Sequence, residues 1–254
     1  MRKLKEYLNK PLSFAVFLLI IISTVITALT VVFIIGYIFI KGVPNLSLDL
    51  FSLKYSSSNQ SMLPSIINTV YLTALTLLLA VPIGIFSAIY LAEYSRKNSF
   101  FVKIINIANE TLSGIPSIVY GLFGFLAFVI SKKWGYSLLA GVITLAIMVL
   151  PLIIRTSQEA MLGVDNTFRE ASYGLGAGKL RTVFKIVLPS AMPGILSGII
   201  LAIGRIVGET AALIYTAGTV PEAATKLTSS SRTISVHLYC LLNEGLYTEQ
   251  AYAT

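Results

Sequence analysis

Two charges stand in the most apolar surroundings of this 254-residue sequence. Arg205 and Glu209 interrupt a block from Ala191 to Ala217 that carries no other charge. At 1.5 Å per residue, Arg205 lies about 21 Å along a helix begun at Ala191, near the middle of a bilayer-length span. A charge at such a position costs about 2.5–3.5 kcal/mol on insertion scales, so it needs a partner or a use. Glu209, four residues on, would share its helix face. Two readings follow. The pair could hold helices together and do nothing else, or it could be a polar station on a transport path. A guanidinium fork gives two parallel N–H bonds and suits a tetrahedral oxyanion. The carboxylate would then hold the arginine in place or accept from a protonated ligand hydroxyl.

A second stretch is informative for the opposite reason, because it is small and polar. From Thr167 the sequence reads T-F-R-E-A-S-Y-G-L-G-A-G-K-L-R-T-V-F-K-I-V-L, and Pro189 follows. Thr167 three residues before Glu170 fits a capping box. A short helix over Glu170 to Leu175 would present Ala171 and Ser172 on one side, ended by Gly174, Gly176 and Gly178. A second helical stretch over Leu180 to Leu188 mixes basic residues with Val183, Phe184 and Ile186. Such a segment either rests on lipid headgroups or offers its bare small-residue surface to a partner protein's groove.

The rest of the chain must position these features in a membrane. Of the residues, 56% are hydrophobic and only 12% charged, half the roughly 25% of a soluble domain. That excludes an ordinary soluble globule, a disordered chain and a fibrous protein. Cys240 is the sole cysteine and His237 the sole histidine, so an intrachain disulfide, a cysteine cluster and a His-rich metal site are excluded. No G-x-x-x-x-G-K-S/T loop is present, so the chain cannot hold ATP in that way.

Five apolar blocks emerge: Leu12–Ile40, Ser65–Leu91, Leu112–Ile130, Ser137–Ile154 and Ala191–Ala217. The fold expected is all-α and polytopic, with a tail over 1–11, a membrane domain over 12–217, and an outer segment over 218–254. Topology follows from the basic residues. The tail, the loop 92–111 and the loop 155–190 hold 12 Lys and Arg, and the opposite side holds six. The richer side is cytoplasmic by the positive-inside rule. The amino terminus is therefore expected inside the cytoplasmic membrane. The net charge of +8 is read as an orientation signal, with no nucleic-acid partner.

The spacing Glu170-Ala171-Ser172, then Gly176, then nine residues, then Ile186-Val187-Leu188-Pro189, resembles the E-A-A-x-x-x-G-x(9)-I-x-L-P signature of binding-protein-dependent ABC importer membrane subunits. Its one departure is Ser172 for the second alanine. The resemblance implies that loop 155–190 holds a coupling helix seated in an ATPase cleft, with Glu170, Ala171, Ser172, Gly176, Ile186, Leu188 and Pro189 as coupling residues. Gly204-Arg205-Ile206-Val207-Gly208-Glu209-Thr210-Ala211-Ala212 resembles the G/A-R-x-x-G-E-T-A segment of phosphate importer permeases, most closely the PstA-type half. Ile89-Tyr90-Leu91-Ala92-Glu93-Tyr94, the segment Ile115 to Gly124, and Pro151 to Thr156 are similar to further segments of that family.

The resemblance implies a type I importer permease fold and ATP-driven inward movement of inorganic phosphate. Arg205 and Glu209 match its intramembrane charges, Arg155 a second arginine, and Thr210 and Ser117 neighbouring path positions. Arg155 reads equally well as an anchor at the inner membrane boundary. No cofactor is implied for this chain. ATP and Mg would be used by two ATPase subunits, alongside a PstC-type second permease and an extracytoplasmic phosphate-binding protein. Family members carry a sixth spanning helix, expected to begin about where this chain stops. Competing readings are a permease for molybdate or sulfate, an ion channel or secondary transporter, and a membrane enzyme acting on lipid phosphates.

Overall fold

The computed structural model describes residues 11–95 and 100–254. The amino-terminal basic cluster (Arg2, Lys3, Lys5 and Lys10) and the pair Arg96 and Lys97, on which part of the orientation argument rests, lie outside the described residues. The described residues are helical or irregular, with no strand, as the all-α expectation required. They form two compact units.

The first unit contains α1 (Pro11–Gly42) and the closing segment with α11 (Thr248–Ala253). α1 is apolar all round, and nearly all its side chains are exposed. That is the pattern of a helix surrounded by hydrocarbon rather than water. Its hydroxyls are hidden: Thr24, Thr27 and Thr30 each donate to the carbonyl four residues back at 2.8 Å. The end of α1 meets α11 closely. Gly42 lies against the Tyr252 carbonyl, where a Cβ would collide, and Tyr37 meets the Tyr252 ring edge-on at 5.9 Å.

The second unit, Leu48–Asn243, holds the remaining helices. These are α2 (Leu63–Ile89, continued by a π-turn Tyr90–Tyr94), α3 (Phe100–Gly114), α4 (Ser117–Gly124, continued to Ser131) and α5 (Leu138–Leu162). Then come α6 (Asn166–Gly174), α7 (Lys179–Thr182), α8 (Leu188–Val207), α9 (Ala211–Thr216) and α10 (Ile234–Glu244). Four stretches are long and apolar enough to cross a membrane: Leu12–Asn45, Leu63–Tyr94, Leu138–Leu162 and Lys179–Val207. A fifth crossing arises if the pair Val102–Gly114 and Ser117–Ser131, bent by 100°, counts as one.

α5 is the axis of the unit. It runs parallel to α2: Gly84 faces Ile153, and Leu72 faces Gly141, a constant offset. It runs antiparallel to α8: Gly194 faces Ala160, and Gly198 faces Thr156. At Gly198 a Cβ would overlap the Thr156 side chain. Small residues at these crossings let the backbones approach, which is how helices associate where lipid is as apolar as leucine. Leu72, Leu145, Met148, Val149, Ile153, Ile206 and Leu213 fill the centre. A second cluster at the α6 end joins Ala88, Ile89, Met161, Val183, Val187, Ala191 and Ile195.

Three sequence expectations are corrected. The block Ala191–Ala217 is not one helix: α8 stops at Val207, and α9 starts at Ala211. Gly208 ends α8 and leaves Glu209 and Thr210 between two helices. The expected loop over 92–111 is mostly helical, because α3 begins at Phe100. The chain then turns sharply at Ile115–Pro116, where proline cannot continue a helix hydrogen-bond ladder. Finally, the amphipathic stretch after Gly178 runs through a π-turn (Val183–Val187) into α8. The loop and the membrane helix are one continuous rod from Lys179.

Candidate functional site

Arg205 sits in the last turn of α8, half-buried. The α5–α8 register fixes its height. Gly194 pairs with Ala160 and Gly198 with Thr156, so Arg205 comes level with Val149. That is close to the middle of α5, which spans Leu138–Leu162. The expected neighbour is not there. Among the described residues the ion pairs are Arg155–Glu159 and Arg169–Glu93, and Arg205 makes neither a salt bridge nor a hydrogen bond. The expectation that Glu209 shares its helix face and pairs with it is therefore corrected. The helix break carries Glu209 away to become the cap of α9, where its Oε1 accepts from the Ala212 N–H at 3.1 Å. Its backbone carbonyl accepts from the Ser235 hydroxyl at 2.8 Å, and the residue is only 8% exposed.

Arg205 lies near enough to Tyr120 of α4 for its charge to act on the phenol. The Tyr120 hydroxyl donates across the bend to the Leu112 carbonyl at 2.8 Å. Ser117 is the first residue of α4, one turn before Tyr120, and is half-buried. The sharp α3–α4 bend thus brings a helix amino terminus to the region of a guanidinium with free donors. N–H groups at such a terminus carry partial positive charge. Together they make a station suited to an anion, in the manner of discontinuous membrane helices. Thr210 lies beyond the break, half-buried, its hydroxyl only 3.5 Å from the Gly208 carbonyl.

Arg155 is elsewhere. Its side chain is largely exposed and pairs with Glu159 one turn on at 3.0 Å. Two further turns of α5 follow it, so it does not mark the helix end as expected. By the same register it is level with Ile199, about 9 Å along the axis from Arg205 toward α6. It lines a cavity of about 210 Å³ with Asn106, Asn109, Glu110, Gln158 and Glu159. The structure does not join the two arginines in one hydrogen-bonded network.

The loop after α5 is ordered from its first residue. Asp165, not Thr167, caps α6: its carboxylate accepts from the Thr167 N–H at 2.9 Å. That backbone hydrogen bond holds Asp165 below the usual carboxylate range. The expected capping box at Thr167 and Glu170 is therefore replaced by a cap two residues earlier, a position that aspartate favours. At the other end Gly176 takes φ +80°. The Gly176 N–H bonds to the Tyr173 carbonyl at 2.9 Å, and the Ala177 N–H to the Ser172 carbonyl at 3.1 Å, a Schellman closure needing the left-handed region.

Glu170 and Ala171 are exposed. Ser172 is not: it is buried, and its hydroxyl shares a 2.8 Å hydrogen bond with that of Thr182. The expected bare face of Ala171 and Ser172 thus splits, one residue outward and one inward. The outward surface is apolar instead, with Phe168, Leu175 at 89% and Leu180 at 67% exposure. Ile186 and Leu188 are half-buried and Pro189 is exposed, flanking Val187, which enters the core.

Two features had no counterpart in the sequence reading. Arg169 makes five hydrogen bonds. Nε and Nη2 reach Glu93 Oε1 at 3.1 and 2.7 Å, Nη2 the Met161 carbonyl at 2.8 Å, and Nη1 the Val164 carbonyl at 2.7 Å and Asn166 Oδ1 at 3.2 Å. At the far end of the unit, Arg232 is only 4% exposed and stacks on the Tyr55 ring at 4.6 Å. His237 meets the same ring edge-on at 6.3 Å. Burial, and then the charge of Arg232, push the His237 pKa down to about 4, against an opposing pull from the Gln60 backbone.

The chain matches known proteins along most of its length. The model of the family described as binding-protein-dependent transport system inner membrane component matches residues 80–237. A Bacillus subtilis (strain 168) protein named probable ABC transporter permease protein YqgI is 33% identical over 226 residues, 83% of this chain and 76% of the relative. The phosphate transport system permease protein PstA of Pasteurella multocida is 39% identical over 224 residues, 85% of this chain and 75% of the relative. The Haemophilus influenzae protein of that name is 36% identical over 198 residues, 77% and 70% respectively. Among solved structures, the inward-facing MetNI methionine ABC transporter aligns with a TM-score of 0.45 at 18% identity, covering 85% of this chain and 93% of that one. The family match takes in both the loop after α5 and the Arg205 segment, and the chain belongs to that family as a multi-pass membrane component of a binding-protein-dependent transport system.

Proposed function

We propose that this chain is the PstA-type permease subunit of an ATP-driven importer of inorganic phosphate. The observation that carries the reading is Arg205: half-buried, level with the middle of α5, without an acidic partner among the described residues, and near Tyr120 of α4. An unpaired guanidinium with a free fork, beside a helix amino terminus, favours a tetrahedral oxyanion over a cation or a neutral solute. The names of the PstA relatives support phosphate as that oxyanion.

In this reading phosphate passes Arg205, with Ser117 and Thr210 nearby. It leaves past Arg155 and its polar cavity toward the α6 side, which is cytoplasmic, as is the amino terminus. Glu209 shapes the station by holding α9 rather than by touching the ion. Two ATPase subunits, each using ATP and Mg, dock on the α6 surface around Glu170, Ala171 and Leu175. A PstC-type permease completes the pathway, and an external phosphate-binding protein delivers the ion.

The test is reconstitution of the complete complex in vesicles. Uptake of labelled phosphate should require ATP and the binding protein, and a hundredfold excess of sulfate or molybdate should leave it unchanged. Equal transport of sulfate or molybdate, or uptake without ATP, contradicts the reading.

A further inference from the structure

The π-turn that ends α2, Tyr90–Tyr94, sends two side chains into the loop that follows α5. Glu93 meets Arg169 of α6, and Tyr94 lies 5.0 Å beneath the Lys179 ammonium at the start of α7. The first contact is buried: the side chains of Arg169 and Glu93 are 14% and 6% exposed. Arg169 also holds the Met161 and Val164 carbonyls at the end of α5. One guanidinium therefore fastens α6 to α5 and to α2 at once. On its other flank, α6 is tied to the α8 rod by the Ser172–Thr182 hydroxyl pair.

These ties differ in strength. A buried, charge-assisted fork is stronger than a neutral hydroxyl pair. α2 and α5 pack in parallel with a constant offset. The α8 rod carries Arg205. We propose that Glu93 and Arg169 are a positioning pair that transmits displacement of α6 to the α2–α5 wall, and so couples ATP hydrolysis to movement past Arg205. The π-turn serves this by rotating Glu93 out of the α-helical register, and such turns recur at functional positions. The inference rests on the permease reading given above.

The experiment uses the complete complex in vesicles, comparing wild type with Glu93→Gln and Arg169→Lys. Glu93→Gln is nearly isosteric and leaves Arg169 its carbonyl bonds, so α6 keeps its fold. Three readouts are taken: co-purification of the ATPase, ATP hydrolysis, and labelled-phosphate uptake. The expected result is normal co-purification, hydrolysis within about twofold of wild type, and phosphate moved per ATP reduced about tenfold or more, because the charge-assisted link is lost. Arg169→Lys, which keeps the charge but loses the fork, should fall between.

Unchanged phosphate per ATP in Glu93→Gln overturns the proposal. So does loss of co-purification, hydrolysis and uptake together, which is the signature of a pair that only folds the loop. A wild-type complex that moves no phosphate sinks the permease reading instead. In that case a spin-label distance between α6 and α2 on ATP binding still decides the joint: it should stay fixed in wild type and change in Glu93→Gln.

Discussion

Arg169 and Arg205 are the same side chain in opposite circumstances. Arg169 makes five hydrogen bonds to a carboxylate, two carbonyls and a side-chain amide. Arg205 makes none among the described residues, although it stands level with the middle of α5. A guanidinium whose donors are all used can hold helices together but has nothing to offer a passing ion. One whose fork is empty adds little to stability, and its charge is expensive to keep in an apolar span. In the proposed reading each arginine has its own work: Arg169 builds the frame, and Arg205 meets the cargo.

The comparison breaks first at Arg169. Arg169→Met leaves the Glu93 carboxylate buried and unpaired, which costs about 3–5 kcal/mol. The thermal midpoint of the solubilised complex should fall by several degrees, while Arg205→Met should leave it unchanged or raised. Equal effects of the two substitutions would erase the distinction.

A second expected loss involves acid. The pKa of His237 is lowered from 6.5 to about 4 in the folded chain, so the unfolded chain takes up the proton first as pH falls. Stability is full above about pH 6.5 and declines as pH drops toward 4. His237→Gln should flatten that part of a melting-versus-pH profile, and an unchanged slope would contradict the assignment.

Glu209 sharpens the contrast at a smaller scale. Since it caps α9 and does not pair with Arg205, Glu209→Ala should cost about 1 kcal/mol, the worth of a lost cap. Glu209→Gln keeps an accepting oxygen and should retain most uptake. A collapse of uptake in Glu209→Gln, at wild-type stability, would restore a direct role for the carboxylate.

Arg155 marks the lower end of the scale. Its pair with Glu159 is exposed on both sides, and such pairs contribute about 0–1 kcal/mol. Arg155→Gln should therefore shift the melting midpoint by no more than a degree or two. Any larger uptake defect then reports on the path and not on the fold.

Much of this frame was legible in the sequence. Charge-free runs locate α1 and α2 to within a few residues, and the start of α5, because hydrocarbon excludes charge so strongly that the ends show; α5 runs two turns past Ile154, since Arg155 and Glu159 stand on a helix that continues beyond its apolar run. The loop after α5 was legible as ordered, for its glycines stand at helix boundaries. Asp165 was passed over for Thr167, although an aspartate directly before a helical run is the stronger cap signal. The break at Gly208 was harder to see. Glycine followed by Glu and Thr is both a helix end and a new helix start, yet the apolar residues on either side read as one span.

The Arg169–Glu93 pair could not be seen at all, since 76 residues separate its members. No local pattern records which buried carboxylate a distant arginine will meet. Arg205 was found because its charge was out of place. Its lack of a partner could be established only once the course of α8 and α9 was known.

The most direct test of the account concerns Arg205 alone. Complete complexes carrying wild-type permease or Arg205→Lys are placed in vesicles at equal permease content, and ATP-dependent uptake of labelled phosphate is measured beside ATPase co-purification and thermal melting. Lysine keeps the charge but cannot present two parallel donors. The account predicts wild-type assembly and stability with uptake reduced by about tenfold or more, reflecting the lost bidentate contact. Wild-type uptake by the lysine variant would contradict a fork that grips the ion and leave Arg205 as a charge without cargo.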